Sequence, residues 1–382
     1  MAAAGDVDWM STSLEHRTLP MSTLFDRHDL AGLTLRNRIV MAPLTRQRAG
    51  EDGVPTELHA EHYAQRATAG LLVTEGAFPS FRSRAFPGQT GLADDAQTDG
   101  WRAVAQAVHE AGGHVFVQVM HGGRMCHPDL LRGAEPEAPS AIAPGVPVRG
   151  FSGKMEGPVP SALDTEELPR VVAEFADAAR RAVEAGLDGV EVHGANGYLL
   201  HEFLAPSSNT REDAYGGSPE NRARLTVEVV RAVAQAIGAE RTALRISPEH
   251  NVQGTIEEDR ADVLATYDAL LAGLADLDLA YLSVIHQDVA GDLAAHLRES
   301  FSGPLVLNSG FGAVTGLEEA RRIVEDGLAD AVAVGRELIA NPDLARRWRE
   351  GLPLNEPDPT TFYTGGAHGY TDYPFVDGSP SS

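Results

Sequence analysis

His193, Asn196 and Tyr198 stand close together in the stretch His193-Gly194-Ala195-Asn196-Gly197-Tyr198. An imidazole and a carboxamide three residues apart on one turn can both donate to a single carbonyl or nitro oxygen. Such donors polarise the group and stabilise charge as it develops. A phenol beside them is a weak acid, with a reference pKa of about 10. It suits protonation of a carbanion or enolate and suits hydrolysis poorly. The plainer alternative is a loop in which His193 satisfies backbone groups and Tyr198 packs. Three complementary groups at one strand end favour the chemical reading.

Other polar residues fall at the ends of apolar runs. One run ends in Ala42-Pro43-Leu44-Thr45 and another in Glu75-Gly76. Gln118 and Arg245 lie inside two more, and a further pair ends in Ser309-Gly310 and Gly335-Arg336. Glycines let backbone N–H groups approach an anion, and Arg336 can add a charge-assisted clamp, so these last two ends suit a phosphate. Arg245 in a buried strand needs a partner. A reduced flavin's negative charge near N1 would serve, and so would a structural ion pair with an acid such as Glu75. Gln118 and Thr45 can bind a flavin's pyrimidine edge or merely satisfy loop backbone. The run Gly310-Phe311-Gly312-Ala313-Val314-Thr315-Gly316 imitates a dinucleotide fingerprint. Its spacing is GxGxxxG, and no acidic residue ends a second strand at the distance that fingerprint requires.

These residues need a scaffold that gathers strand ends. Apolar runs at 38–42, 71–75, 114–120, 189–193, 242–247, 279–285, 304–308 and 331–335 read as strands buried on both faces. Helical patterns alternate with them. Asp164 with Glu167 reads as a capping box before a helix over 168–185. Ser218-Pro219 opens a helix over 221–237, and Asn341-Pro342 is read as opening the last one. Gly112, Gly186, Gly238, Gly327 and Gly351 stop helices. The pattern predicts an α/β fold, a single (β/α)₈ TIM barrel, whose active site lies at the C-terminal ends of its strands. A doubly wound open sheet is the alternative. Residues 121–163, rich in Pro and Gly, form a long lid insertion after strand 3. The aromatic tail 355–382 is expected to pack over the barrel mouth. Residues 1–20 read as a disordered extension before one barrel domain, 21–382.

Composition removes several classes. The 382 residues include 55 acidic and 31 basic side chains, a net charge of −24, which argues against nucleic-acid binding. No apolar run is long enough to span a membrane. Cys126 is the only cysteine, which rules out an intrachain disulfide and an iron–sulfur cluster and suits a reducing cytoplasm. Lys154, the only lysine, falls in a Gly/Pro-rich loop, away from the strand ends where a Schiff-base lysine would work. A metal-dependent barrel hydrolase is a rival given 14 histidines. No HxH pair occurs, however, and His121, His127, His201, His250 and His286 are scattered in loops. A non-catalytic binding barrel is disfavoured because several polar strand ends coincide. No metal is expected.

The residues resemble the old yellow enzyme family in ordered blocks. These are LTLRNRIVMAPLTRQRA (33–49), LLVTEG (71–76), the HxGR of HGGR (121–124) and APSAI (138–142). EAGLDGVEVHGANGYLLHEFL (184–204), YGGSPENRAR (215–224), VGRELIANPDL (334–344) and TFYTGGAHGYTDYPF (361–375) continue the series. The resemblance implies bound FMN, reduced by NADPH or NADH in a ping-pong cycle. It implies small electrophilic alkenes activated by a carbonyl or nitro group as substrates, with nitro compounds, nitrate esters or quinones as the alternative. By the same resemblance Thr45, with Pro43 and Leu44, would touch the flavin, Gly76 its ring, Gln118 its pyrimidine edge and Arg245 its N1–O2 region. Ser309, Gly310, Gly335 and Arg336 would hold the phosphate. His193 and Asn196 would bind the substrate oxygen and Tyr198 would donate the proton. Tyr370 would line the pocket from the tail, and Met120 stands where relatives often carry tryptophan or leucine. The loop 249–262 lacks the family's usual pattern. A monomer or homodimer is expected.

Overall fold

The computed structural model describes residues 23–30 and 32–378. The extension expected over residues 1–20 lies outside them. Eight strands close into one fully parallel barrel. They are β1 (Ile39–Met41), β2 (Leu71–Ala77), β3 (Val115–Val119), β4 (Gly189–Gly194), β5 (Thr242–Ile246), β6 (Leu282–Ile285), β7 (Leu305–Asn308) and β8 (Ala331–Val334). Each pairs with its sequence neighbours, and β8 closes on β1. The expected barrel is therefore the observed one.

Helices cover the outside for reasons legible in their sequences. Leu168–Glu184 buries Leu168, Val171, Phe175, Ala178, Ala179 and Ala182, spaced three and four apart, on one stripe facing the sheet. The Asp164/Glu167 capping box forms in the turn before it, a device worth about 1 kcal/mol to a helix start. Ser218 caps Pro219–Ile237 as expected. The last helix departs from expectation: Asp343, not Asn341, precedes Leu344–Glu350. Asn341 instead ends the helix Arg336–Ala340. Its amide is already committed, donating to the Glu337 carbonyl at 2.9 Å and accepting from Asn355 N at 2.7 Å.

Side chains alternate across each strand, and this sorts the interior into layers. On β3 to β6 the outward residues Val117, Val192, Leu244 and Leu282 meet the helices. Phe116, Ala243 and Tyr281 point inward and fill the lower barrel. A hairpin of His28–Leu30 and Leu33–Leu35, which no sequence pattern had marked, closes that end with Leu30 and Leu35. Moving up by two residues along each strand gives a polar inner layer of Gln118, Glu191, Arg245 and Ser283, all buried. The lid is structured, with a parallel pair Glu137–Ala138/Ser161–Ala162 and a hairpin Val148–Gly150/Gly153–Met155. The tail is fastened to the first strand-to-helix loop: Arg46 and Arg48 donate to the carbonyls of Phe362, Gly369, Thr361 and His368.

Candidate active site

The turn after β4 is held from three sides. Asn196 has φ +59°, a left-handed conformation that asparagine tolerates better than most residues. Its N–H donates to Ser247 Oγ at 2.8 Å, and its carbonyl accepts from Gln253 Nε2 at 2.8 Å. Gly197 N donates to His201 Nδ1 at 2.9 Å. The turn brings the Tyr198 ring 5.2 Å from the His193 ring, centre to centre. Tyr198 also joins Met120, Met125 and Val148 in the apolar cluster beneath the lid.

Burial sets the protonation of this group. It drives the His193 imidazole well below its ordinary pKa, and Arg245 and His201 add to the effect. His193 is therefore neutral at pH 7, and its Nδ1 has no hydrogen-bond partner among the described residues. Burial pushes the Tyr198 phenol up to about 12, against an opposing hydrogen bond with Gln253. The phenol keeps its proton at any physiological pH.

Two adjoining cavities open above the polar layer. One, of about 250 Å³, is lined by Gly76, Gln118, Met120, His193, Asn196 and Tyr198 among others. The second, of about 320 Å³, runs along Gly310, Gly335 and Arg336. Pro43, Leu44, Thr45 and Arg245 border both.

The walls suit FMN. Arg245 stands beside His193 in register on β5. Its Nε and one terminal nitrogen are buried without hydrogen-bond partners among the described residues. An anionic ring edge would satisfy both. Its acidic neighbour is Glu191 at 3.9 Å, not Glu75. Glu191 in turn accepts from Gln118 at 2.8 Å and from the Tyr281 hydroxyl at 3.0 Å. A Cβ on Gly76 would come within 3.1 Å of Met120 and 3.3 Å of Gln118 Oε1, so the wall there leaves no room for a side chain. In the second cavity Gly310 has φ +86°. A Cβ on Gly335 would meet only Leu44, at 3.6 Å, so its backbone is open to a ligand. Arg336 donates to the carbonyls of Phe311 and Ala313 and has no carboxylate partner among the described residues. The Ser309 hydroxyl turns away, to Thr315 at 2.9 Å and Glu319 at 3.2 Å, leaving only its backbone for a phosphate.

Tyr370 is not on either cavity wall. It is fully buried, stacked on His62 at 3.8 Å, with its carbonyl accepting from His62 Nδ1 at 2.9 Å. Arg46 and Arg48 draw the tail inward and cover its ring at 5.1 and 4.7 Å. The tail's lining residue is Tyr363, which borders both cavities. Sequence reasoning also missed Glu191, Gln253 and Arg149. Glu191 carried a signal, an acid two residues before His193 in an otherwise apolar strand.

A closed (β/α)₈ barrel with a phosphate-suited groove beside a buried imidazole, amide and phenol defines a flavin oxidoreductase architecture. The model of the NADH:flavin oxidoreductase / NADH oxidase family matches residues 23–355. The chain belongs to this family, as an FMN-dependent oxidoreductase of the old yellow enzyme type with a nicotinamide reductant. It is 44% identical over 356 residues to a Leishmania infantum protein named "Probable flavin mononucleotide-dependent alkene reductase", covering 91% of this chain and 96% of the relative. The old yellow enzyme homologue of Zymomonas mobilis superposes with a TM-score of 0.88 at 42% identity, covering 93% of this chain and 100% of that one. Morphinone reductase gives 0.88 at 40%, covering 95% and 100%. No helix among the described residues is long and apolar enough to cross a membrane.

Proposed function

We propose that this protein is an ene-reductase that reduces the C=C bond of α,β-unsaturated carbonyl or nitro compounds in a ping-pong cycle with NADPH or NADH. FMN, when bound, supplies hydride transfer between nicotinamide and alkene. Thr45, Gly76, Gln118 and Arg245, with Pro43 and Leu44, hold its ring system. Gly310, Gly335, Arg336 and the Ser309 backbone hold its phosphate. His193 and Asn196 anchor the substrate oxygen, Met120 and Tyr363 shape the pocket, and Tyr198 delivers a proton to carbon.

One observation carries this reading: a neutral buried imidazole and a phenol that keeps its proton share one cavity wall. A neutral imidazole donates to an oxygen without protonating it. A phenol with a raised pKa releases its proton only to a strong base, such as the carbanion left by hydride addition. A hydrolase would need a base near pH 7, and neither group is one. Residence in the cytoplasm belongs to the same proposal and rests on the single, buried cysteine.

The test is anaerobic reduction of the yellow protein by NADPH or NADH, followed by mixing with enones, maleimides and nitroalkenes. Rapid reoxidation with a saturated product is expected. Reoxidation by quinones alone would overturn the proposal and leave a quinone reductase.

A further inference from the structure

His201 and the loop after β5 meet behind the turn that carries Asn196 and Tyr198. His201 lies on the helix Leu199–Leu204, which starts directly after Tyr198. Its Nδ1 accepts from Gly197 N at 2.9 Å. A ring nitrogen that accepts carries no hydrogen, so the imidazole proton is on Nε2. Nε2 stands 3.4 Å from Glu257 Oε2, and both side chains are buried. The contact is longer than a well-formed hydrogen bond, and Nε2 has no other partner among the described residues. Glu257 is fixed in its turn: Oε2 accepts from Glu249 N at 2.8 Å and Oε1 from the Tyr267 hydroxyl at 3.2 Å. The two backbones also touch. Gly197 has φ +75°, and a Cβ on it would come within 2.9 Å of the Val252 carbonyl oxygen and 3.1 Å of Thr255 Oγ1.

We propose that His201 and Glu257 are positioning residues: they lock the turn after β4 to the loop after β5 and so set the direction of the Asn196 amide and the Tyr198 phenol. Asn196 and Gly197 are both left-handed, and a non-glycine residue in that region persists only where its surroundings impose it. Ser247 and Gln253 hold the Asn196 backbone. Gly197 depends on His201, because a buried N–H that loses its acceptor is costly. An acceptor at position 201 alone would complete the start of the helix. Glu257 adds what a cap does not supply, a connection through Nε2 from the turn to the loop of a different strand. The inference rests on the proposed roles of Asn196 and Tyr198 toward the substrate.

The variants are His201→Asn, Glu257→Leu and the double substitution, each purified as the FMN holoenzyme. Asparagine can still accept from Gly197 N but is too short to reach Glu257, so it cuts the connection and spares the cap. Hydrogen exchange followed by mass spectrometry is read over peptides covering 195–201 and 249–257. Either single variant is expected to speed exchange in both segments. The second readout is titration with a phenolate, followed by the flavin absorption. Its dissociation constant should rise roughly fivefold to tenfold in each single variant, the weight of one hydrogen bond. The double variant should bind no more weakly than the worse single one, because one broken link cannot be broken twice. FMN content should hold. Faster exchange in 195–201 alone for His201→Asn, additive losses in the double variant, or unchanged phenolate affinity overturns the proposal. His201→Asn tests it by itself where Glu257→Leu, which strands the Glu249 N–H, fails to fold. A protein that reduces no alkene still gives both measurements, so failure of the ene-reductase reading and failure of this link are told apart.

Discussion

Gln253 donates its side-chain amide to the carbonyl of Asn196 across 2.8 Å, so the loop after β5 holds the turn after β4. Gln253 itself has φ +56°, and it lines the cavity beside Tyr198. Two substrate-facing groups therefore depend on a residue that follows a different strand. Gln253→Ala should slow enone reduction roughly tenfold, the weight of one well-placed hydrogen bond in a low-dielectric site. Flavin reduction and quinone reduction should change much less. Gln253→Glu should be worse, since a carboxylate beside the Asn196 carbonyl repels it. An unchanged enone-to-quinone rate ratio in both variants would mean that Gln253 only fills space.

Arg245 sits between two claims on its charge. One terminal nitrogen is 3.9 Å from Glu191, yet it and Nε remain buried without a hydrogen-bond partner among the described residues. If those nitrogens bind the flavin, Arg245→Met should weaken FMN binding by roughly 10- to 100-fold, the range for hydrogen bonds to a charged group. Flavin fluorescence after ultrafiltration measures the released fraction. Unchanged FMN affinity would leave Arg245 as the counterion of Glu191 alone.

Glu75 gives a pH-dependent stability prediction. Burial raises its pKa from 4.5 to about 7, even though Arg46 N donates to it at 3.4 Å. The folded state then binds the proton more tightly than the unfolded chain does. Its stabilising contribution is complete below about pH 4.5 and is lost as pH rises through 7. Glu75→Gln mimics the protonated form and should remove this loss. At pH 8 the variant should gain up to roughly 3 kcal/mol relative to its standing at pH 4, because each tenfold difference in proton affinity is worth about 1.4 kcal/mol. Denaturant unfolding of both proteins from pH 4 to 8 measures the difference. His59 lies 3.6 Å from Glu75 but is present in both proteins. A flat difference curve would place the Glu75 charge in a solvated setting.

The barrel was legible because buried parallel strands are nearly continuous apolar runs, and four of the eight, β3, β4, β5 and β8, follow glycines read as helix stops. His193, Asn196 and Tyr198 were legible because they lie on one short turn. Residues that reach the cavity from elsewhere were not. Gln253 depends on a loop with two left-handed residues, Glu249 and Gln253, whose path no local pattern encodes. Tyr363 and Tyr370 are both tail aromatics. Which one faces the cavity is decided by Arg46 and Arg48, more than 300 positions away in sequence. Asn341 carried a cap-like sequence but had prior hydrogen bonds with Glu337 and Asn355.

Tyr198 and His193 should separate by half-reaction. Flavin reduction needs hydride transfer from the nicotinamide and no phenolic proton. Alkene reduction needs a hydride on one carbon and a proton on its neighbour. The phenol is held at a pKa of about 12 by burial, so it remains the protonated donor throughout the working pH range. Tyr198→Phe keeps the ring in its cluster with Met120 and Met125 and deletes only that donor. It should spare flavin reduction and slow enone reduction by about 10²- to 10⁴-fold, the usual weight of general-acid catalysis. Quinones, whose oxygens take protons from water, should suffer far less. His193→Ala removes instead an imidazole whose buried Nδ1 has no hydrogen-bond partner among the described residues. It should weaken binding of phenolates and carbonyl ligands before it alters proton delivery. Stopped-flow measurement of both half-reactions, with an enone and a quinone as oxidants, separates the two roles. Equal slowing of both oxidants by Tyr198→Phe, or slowing of neither, would move the proton donor to another residue of the cavity wall.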